Sequence, residues 1–313
     1  MTTIAAVSAP NISSPAAEGD IVSNSSSFAR HLRAENLSPK TVRTYLEAVT
    51  QLDAFLGSNG MPRLLANVRR EHVEGFIEDQ ISRHSPATAN VRYGGLRSFF
   101  SWALDEGELK DSPMARMRPP KVGEVAVPIL SEEEITKLLR QCSGNDFDSR
   151  RDLAILRVYA TTGARKSEVA GITIKDVDLD HGIVRVNGKG DRERLLPLDA
   201  RTVRAIDRYI RVRSGHAYSS IDALWLGKRG PMTPDGLDQM ARRRAEQAGI
   251  KDFHLHRFRH TAAHAFLADG GQESDLMRLT GWRSRTMLQR YAASTATERA
   301  IAASKKFGLA SRI

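Results

Sequence analysis

A basic, proline-rich segment, residues 110–128, divides this chain of 313 residues into two parts. It contains four prolines, and proline ends a helix because it lacks an amide proton and clashes with the preceding turn. Such a composition is typical of a linker between domains. The chain length also suits roughly two domains of about 100–200 residues. We therefore predict one domain over 25–109 and a second over 129–313.

The net positive charge lies entirely in the second part of the chain. Residues 1–128 hold 14 basic and 14 acidic side chains, whereas residues 129–313 hold 33 basic and 23 acidic ones. This excess accounts for the formal charge of +10 and fits a polyanionic partner such as a nucleic acid. The basic linker is also suited to lie along a nucleic-acid backbone.

The sequence predicts a soluble, cytoplasmic protein. A single cysteine, Cys142, excludes a disulfide within the chain, as is typical of a reducing cytosol. No apolar run approaches the roughly 20 residues of a membrane span, and the N-terminus lacks the features of a signal peptide. Residues 1–24 are rich in Ser, Ala, Pro and Asn, and we expect them to be a disordered tail.

Four helices are predicted in the first domain. Ser38-Pro39 and Ser85-Pro86 each provide an N-cap followed by proline at the first helical position. Apolar residues follow both at helical spacing, and further helices are predicted at Phe28–Ala34 and His72–Ile81. Basic residues lie on the outward faces, at Lys40, Arg43, Arg92 and Arg97. Taken alone, these four fit a solvated face better than a binding surface.

The second domain combines helices with short β-like segments. The strands are predicted at Ile172–Val177, Ile183–Val186 and Arg194–Leu198. Tight turns at His181-Gly182 and Gly188–Gly190 separate them, so they should form a small antiparallel sheet. A later helix is predicted to start at Thr233-Pro234. The predicted fold class is therefore mainly α with a small antiparallel β-sheet.

The stretch from His254 to Tyr291 suggests chemistry on a phosphodiester. Phosphoryl transfer needs a nucleophile, cations around the non-bridging oxygens and an acid for the leaving oxygen. Arg259 and the earlier Arg165 suit the cations, because a guanidinium grips phosphate bidentately. Lys189, between two glycines at a hairpin tip, can reach a substrate oxygen. Alone, each is more often an ordinary surface or turn residue.

The histidines of this stretch also permit a metal interpretation, which we consider weaker. His256, His260 and His264 share one helix face. No carboxylate or cysteine lies beside them, and two interspersed arginines would repel a cation. The glycines around Gly188 do not form a P-loop. We therefore expect neither a metal nor another cofactor.

Four motifs in order resemble the tyrosine recombinase (phage integrase) family. Its TGxRxSE box is similar to Thr161–Glu168, and its lysine hairpin is similar to Gly188–Gly190. Its HxxRH box resembles His256–His260, and its nucleophile position falls on Tyr291. Each motif alone is weak, but the four with this spacing are specific. The resemblance covers nearly everything past the tail, about residues 25–305.

The resemblance implies a catalytic set drawn from all four motifs: Arg165, Lys189, His256, Arg259, Trp282 and Tyr291. Glu168 is implied as the acid that supports Arg165, and His260 as a structural neighbour. Trp282 stands where most members have histidine. Its indole N–H can donate to a phosphate oxygen, or its ring can pack against the tyrosine helix, but it cannot shuttle a proton.

The implied reaction starts with attack of the Tyr291 oxygen on a scissile phosphate, which forms a 3′-phosphotyrosine and releases a 5′-hydroxyl. Lys189 is implied as the acid toward the 5′ oxygen, and His256 as the acceptor of the tyrosine proton. A 5′-hydroxyl of a partner strand reverses the step, so neither ATP nor metal is required. Two rounds of exchange pass through a four-way junction.

The resemblance also implies how the domains act. An N-terminal core-binding domain and a C-terminal α+β catalytic domain would form a C-shaped clamp on double-stranded DNA. The implied DNA contacts are Lys40, Arg43, Arg92, Arg97, Gln239 and Arg243. A helix over about 296–306, with Ile301 and Phe307 close by, is expected to dock on a neighbouring subunit of a homotetramer. The tail is short and contains no Lys or Arg. It therefore predicts a simple recombinase that binds core sites only.

Two biological roles fit this resemblance. The first is an integrase of a phage or mobile element, with a directionality factor as a further partner, acting on the nucleoid of a bacterial host. The second is a Xer-type resolvase of chromosome dimers. Outside recombination, the alternatives are a DNA-binding protein without catalysis, a type IB topoisomerase and a metal-dependent nuclease.

Overall fold

The computed structural model describes residues 19–123, 128–188 and 192–282, together with Leu288, Ile301 and Ser304. The chain divides into two compact units, residues 1–125 and residues 126–313. Each unit has its own hydrophobic core. In the described part of the chain, no helix is long and apolar enough to cross a membrane.

Over residues 19–123, the first unit contains four α-helices: α1 (Ile21–Ala34), α2 (Pro39–Ser58), α3 (Arg70–Arg83) and α4 (Pro86–Asp105). Ser38 and Ser85 cap α2 and α4 as predicted, each accepting a hydrogen bond from the amide three residues later. A proline follows each cap at the first helical position, where its missing amide proton costs nothing. These caps set where the two longest helices begin.

Aromatic side chains fill much of the core of the first unit. Phe28 packs edge-on against Phe99 with ring centroids 5.3 Å apart, and Trp102 lies 5.5 Å from Phe28. Phe99 also contacts Phe100. Full burial of a side chain of this size contributes roughly 1.5–3 kcal/mol. The cluster therefore joins α1 to α4 through apolar contact.

Helix α1 begins earlier than predicted. It starts at Ile21, inside the segment 1–24 that was expected to be disordered, and not at Phe28. Asp20 caps the helix by accepting from the Val22 amide, and the Ile21 side chain is fully buried in the core. Of the Ser and Asn residues in the described part of that segment, Ser23 is exposed, and Asn24 is buried and donates a hydrogen bond to the Asp20 carbonyl.

The segment predicted as a linker starts with residues that pack onto the first unit. Met114 is buried in the core of that unit. The Tyr93 hydroxyl donates a 2.8 Å hydrogen bond to the carbonyl of Met117. Prolines rule out a helix here, but the residues between them still bury apolar surface.

The second unit contains seven α-helices and two small sheets among its described residues. The elements are α5 (Glu132–Arg140), α6 (Phe147–Thr162), α7 (Lys166–Ala170), β1 (Val177–Asp178), β2 (Ile183–Gly188), β3 (Arg192–Pro197), α8 (Ala200–Arg213), β4 (Leu226–Gly227), β5 (Gly230–Pro231), α9 (Pro234–Gln247), α10 (His256–Ala268) and α11 (Glu273–Thr280). Helix α6 packs against α8 on one side and α10 on another. Its buried Tyr159 stacks on Phe258 of α10, with ring centroids 6.2 Å apart.

The main sheet is antiparallel in the order β1-β2-β3. Val184 pairs with Leu196 and Val186 pairs with Arg194, which confirms the mainly α fold with a small antiparallel sheet. The strand predicted over Ile172–Val177 is wrong for most of its length. Residues 174–176 form a 3₁₀ turn, because the amide and hydroxyl of Thr173 both donate to the Asp176 carboxylate.

Candidate active site

The predicted catalytic residues divide into a described and an undescribed group. Arg165, His256, Arg259 and Trp282 lie in described segments. Lys189 and Tyr291 lie outside the described residues, as does most of the predicted C-terminal helix, including Phe307. Within that helix, Ile301 is described and exposed.

Gly163 sets the position of Arg165. Helix α6 ends at Gly163 in the left-handed region (φ 58°), so the chain turns sharply into α7, whose N-cap is Arg165. A Cβ on Gly163 would lie 3.0 Å from the Ala262 Cβ and 3.3 Å from the Arg259 Cα. Glycine is required here both by its backbone angle and by the close approach of α10.

Glu168 holds Arg165 with two of its four hydrogen bonds. Its side chain is 1% exposed. It accepts from the Arg165 amide at 2.7 Å and from the Arg165 Nη1 at 2.8 Å. Burial would raise the pKa of Glu168, but hydrogen bonds from Arg194 and Arg165 outweigh it and hold that pKa below its ordinary value. The carboxylate is therefore charged at neutral pH.

Arg194 on β3 supplies the other two hydrogen bonds, and the sequence analysis did not select it. Its Nη1 and Nη2 donate to the two Glu168 oxygens at 2.7 Å each. Its side chain is only 13% exposed. The signal was the alternation along β3, which places Arg194 on the same face as the buried Leu196. An arginine at such a mostly buried position needs acceptors for its donors.

Arg259 on α10 is 2% exposed and reaches across two helix ends. Its Nη1 donates to the Gly163 carbonyl at 3.1 Å, and its Nη2 donates to the Thr280 carbonyl at 2.7 Å. Its guanidinium carbon lies 5.2 Å from the centre of the Trp282 ring. Trp282 is itself buried, in an apolar cluster with Leu276 and other side chains.

Three arginines converge on the C-terminal end of α11. Arg194 Nε donates to the Leu279 carbonyl at 2.9 Å, Arg259 to the Thr280 carbonyl, and Arg165 Nη2 to the Gly281 carbonyl at 3.2 Å. The last carbonyls of a helix lack intrahelical partners and carry partial negative charge. They therefore gather three guanidinium groups from β3, α10 and the start of α7. The resulting cationic centre suits a phosphate.

His256 is the first residue of α10, the helix that also carries Arg259, and it is exposed. Desolvation by neighbouring atoms, followed by the charge of Arg259, lowers the pKa of His256 below its ordinary value. Its ring centroid lies 4.4 Å from that of His260, edge to face. A neutral imidazole is able to accept a proton at neutral pH.

The predicted DNA contacts differ in exposure. Lys40, Arg43 and Arg97 of the first unit are exposed, as are Gln239 and Arg243 on α9. Contrary to the prediction, Arg92 does not lie on an open face. Its side chain is 13% exposed and forms a 2.7 Å ion pair with Glu47 on the neighbouring helix α2. Helical spacing placed Arg92 on the outside of α4, but α2 covers that position.

Comparison with known proteins identifies the family of both units. A model of the phage integrase family matches residues 128–298, and a model of the phage integrase N-terminal SAM-like domain matches residues 26–108. The tyrosine recombinase XerC of Salmonella typhi is 31% identical over 273 residues, which cover 85% of this chain and 89% of that protein.

Two solved structures show the same fold at low identity. The XerH recombinase bound to a palindromic difH substrate has a TM-score of 0.72 at 20% identity, covering 90% of this chain and 84% of that one. The lambda integrase tetramer bound to a Holliday junction has a TM-score of 0.66 at 16% identity, covering 85% of this chain and 78% of that one. With its four motifs and this arginine centre, the chain belongs to the phage integrase family and is a tyrosine recombinase, an enzyme that breaks and rejoins DNA strands.

Proposed function

We propose that Arg165 and Arg259 bind the scissile phosphate of a DNA strand while Tyr291 attacks it. The convergence of arginines at the end of α11 carries this proposal. Two guanidinium groups held by main-chain carbonyls are preorganised to balance charge that develops on the phosphate oxygens. Because α6, α10 and α11 fix them, little reorganisation is needed when the substrate enters.

The covalent step exchanges one phosphoester for another. The Tyr291 oxygen forms a bond to phosphorus as the bond to the 5′ oxygen breaks, and a 3′-phosphotyrosine results. His256 accepts the tyrosine proton, and Lys189 protonates the departing 5′ oxygen. Attack by a 5′-hydroxyl of another strand restores the DNA backbone. The phosphoester energy is retained throughout, so rejoining needs no nucleotide cofactor.

The lowered pKa of His256 supports its role as proton acceptor. Desolvation and the charge of Arg259 favour the neutral ring, and a base must be neutral before it can take a proton. Trp282 contributes differently. Its ring lies beside the Arg259 guanidinium and packs with Leu288, near the start of the segment that contains Tyr291. We assign it to packing that holds Arg259 in place.

The biological role that we favour is site-specific recombination of the Xer type, which resolves chromosome dimers. Its support is the 31% identity to a XerC recombinase across most of both chains. Integration of a phage or mobile element, with a directionality factor, is the second candidate, and the likeness to lambda integrase supports it through the fold alone. Deleting the gene separates them: chromosome dimers should accumulate only under the first role.

On DNA, the exposed cations of both units would contact the duplex. We assign phosphate contacts to Lys40, Arg43 and Arg97, and base contacts to Gln239 and Arg243 on α9. Arg92 is assigned to positioning, because it is paired with Glu47. Exchange of two strand pairs requires four active sites, so the working assembly would be a homotetramer. Phosphate contacts predict a steep loss of affinity as salt rises.

A nicked suicide substrate tests the chemistry. We expect the wild-type protein to become covalently linked to the 3′ side of the break, with EDTA present, and Tyr291→Phe to bind DNA without linking. Tyr218→Phe, at an exposed tyrosine of the second unit, is the matched control and should link normally. Covalent product from Tyr291→Phe would refute the nucleophile. Loss of product in EDTA would instead favour a metal-dependent nuclease.

A further inference from the structure

Arg194 is the second arginine that binds the Glu168 carboxylate, which holds Arg165. The exposed fractions of the three side chains rank them from the outside inward: 35% for Arg165, 13% for Arg194 and 1% for Glu168. Glu168 is therefore the innermost of the three, and Arg165 is the arginine that faces the open side of the centre. Arg194 and Glu168 form a bidentate ion pair through two hydrogen bonds of 2.7 Å each.

Without Arg194, the pair of Arg165 and Glu168 would add no net positive charge to that of Arg259. The Glu168 carboxylate carries one negative charge, which on its own would balance the positive charge of Arg165. Arg194 supplies a second positive charge, so the cluster keeps a net positive charge for an anion. In a largely buried site this difference is weakly screened by solvent. Glu168 thus holds Arg165 in position, whereas the net positive charge of the three side chains depends on Arg194.

Arg194 also connects two parts of the site through its main-chain contacts. Its Nε donates to the Leu279 carbonyl of α11, and β3, which carries it, follows directly after the hairpin residues 189–191. Its Nη1 would lie 3.3 Å from a Cβ added to Gly281, whose left-handed conformation (φ 66°) brings the backbone close. The strand that leads away from Lys189 is therefore tied to the helix end that receives Arg165 and Arg259.

We propose that Arg194 is a positioning residue of the recombinase, which offsets the charge of Glu168 so that Arg165 can act on the scissile phosphate. This rests on the proposed function of Arg165. A purely structural role for Arg194, as a strut between β3 and α11, is the alternative. The two differ in whether the effect depends on the charge of Glu168 and on the charge of the substrate.

The test uses Arg194→Met and Arg194→Lys in the full-length protein on nicked suicide DNA. Loss of the partner that orients a metal-ligating side chain lowers activity about 10–100-fold; by analogy we expect a loss of about 30-fold for Arg194→Met and a smaller one for Arg194→Lys. Arg185→Met, at an exposed arginine on the adjacent strand β2, is the matched control. Thermal unfolding of each variant tests for loss of the fold.

Two further experiments distinguish a role of the Arg194 charge from a purely structural role. In a Glu168→Gln background, Arg194→Met should cost less than it does alone, because the charge that Arg194 offsets is gone. On DNA with a neutral methylphosphonate at the scissile position, the ratio of wild-type to Arg194→Met cleavage rates should shrink. If Arg194→Met lowers the cleavage rate by the same factor on both DNA substrates, and by the same factor with and without Glu168→Gln, the proposal is overturned and the role of Arg194 is purely structural.

The control for the proposed function is separate. If Tyr291→Phe still forms a covalent product, the proposed nucleophile fails whatever Arg194 does. If Tyr291→Phe is inactive while Arg194→Met matches the wild-type rate, the recombinase chemistry stands and the role of Arg194 is refuted.

Discussion

The two units of this recombinase bury different kinds of side chain. The buried polar residues of the first unit are Asn24, Asp53 and Gln80, and its core consists of helix faces and aromatic rings. The second unit buries four arginines among its described residues: Arg151, Arg213, Arg257 and Arg259. A buried guanidinium is costly unless its donors are satisfied, so each of these marks a place where the chain supplies acceptors.

The acceptors are mostly main-chain carbonyls at helix ends and in loops. Arg213 donates to carbonyls of residues 219–224, and Arg257 donates to those of Lys251 and Ile129. Arg259 does the same at Gly163 and Thr280. The first unit needs no such device, because packed helices satisfy their own backbone. The second unit thus uses buried arginines to fix irregular main chain, and Arg259 does so within the candidate site.

The largest effect should come from Arg259. We expect Arg259→Ala to slow covalent complex formation by about 10³-fold, the upper range for loss of one preorganised donor, or about 4 kcal/mol of barrier. Arg259→Lys should recover little, because an ammonium cannot span both carbonyls. Single-turnover cleavage at saturating DNA measures the rate. Arg70→Met, which removes an exposed ion pair with Glu74 in the first unit, should leave it within about threefold.

A second prediction compares how each unit loses stability. Arg213→Met should cost about 3 kcal/mol and expose the loop over residues 214–224, because four of its carbonyls lose their donor. Phe99→Ala in the first unit should cost about 3–5 kcal/mol through a cavity without exposing that loop. Limited proteolysis with mapping of the cut sites distinguishes them. Protection of the loop in Arg213→Met would contradict this view of the arginine.

The sequence revealed the parts of the site that stand in motifs, and missed the parts that depend on packing. Arg165 and Arg259 were selected because their neighbours in the chain form specific boxes. Arg194 was missed, since its partner Glu168 comes from another element and only the fold brings them together. Arg92 was placed on an open face, because helical spacing cannot show that α2 covers it.

The pH dependence of cleavage should follow His256. Its pKa is lowered from an ordinary value of 6.5 by desolvation and by Arg259, so the neutral base should persist below pH 6.5. We expect the cleavage rate to stay level as pH falls through 6.5 and to decline only in more acidic buffer. Protonation is also less favourable in the folded protein, so this group lowers stability as pH falls below 6.5. A midpoint at or above 6.5 in the rate profile would contradict the assignment.

The smallest expected effect compares two aspartate caps, one in each unit. Asp199 accepts four hydrogen bonds at the start of α8; these outweigh its partial burial and lower its pKa to about 2. Asp199→Asn should cost about 1 kcal/mol at pH 7, because an amide lacks the charge that strengthens the hydrogen bonds to the carboxylate, and the difference should vanish as pH falls from 3.8 through 2. Asp20→Asn, at a cap with one 3.4 Å bond from an amide, should cost less in the same chemical unfolding assay. Equal losses would mean that the hydroxyl donors to Asp199 add nothing.

Gly163 bears on how this enzyme can be redesigned. Its carbonyl receives Arg259, its lack of a side chain lets α10 approach, and its turn delivers Arg165 two residues later. The spacing between Arg165 and Arg259, which we propose to bind the phosphate, is thus set by a helix contact and not by either arginine. Variant libraries designed for new target sequences should vary the exposed face of α9 and keep Gly163. Any side chain at position 163 would alter the separation between Arg165 and Arg259, on which every DNA substrate would depend.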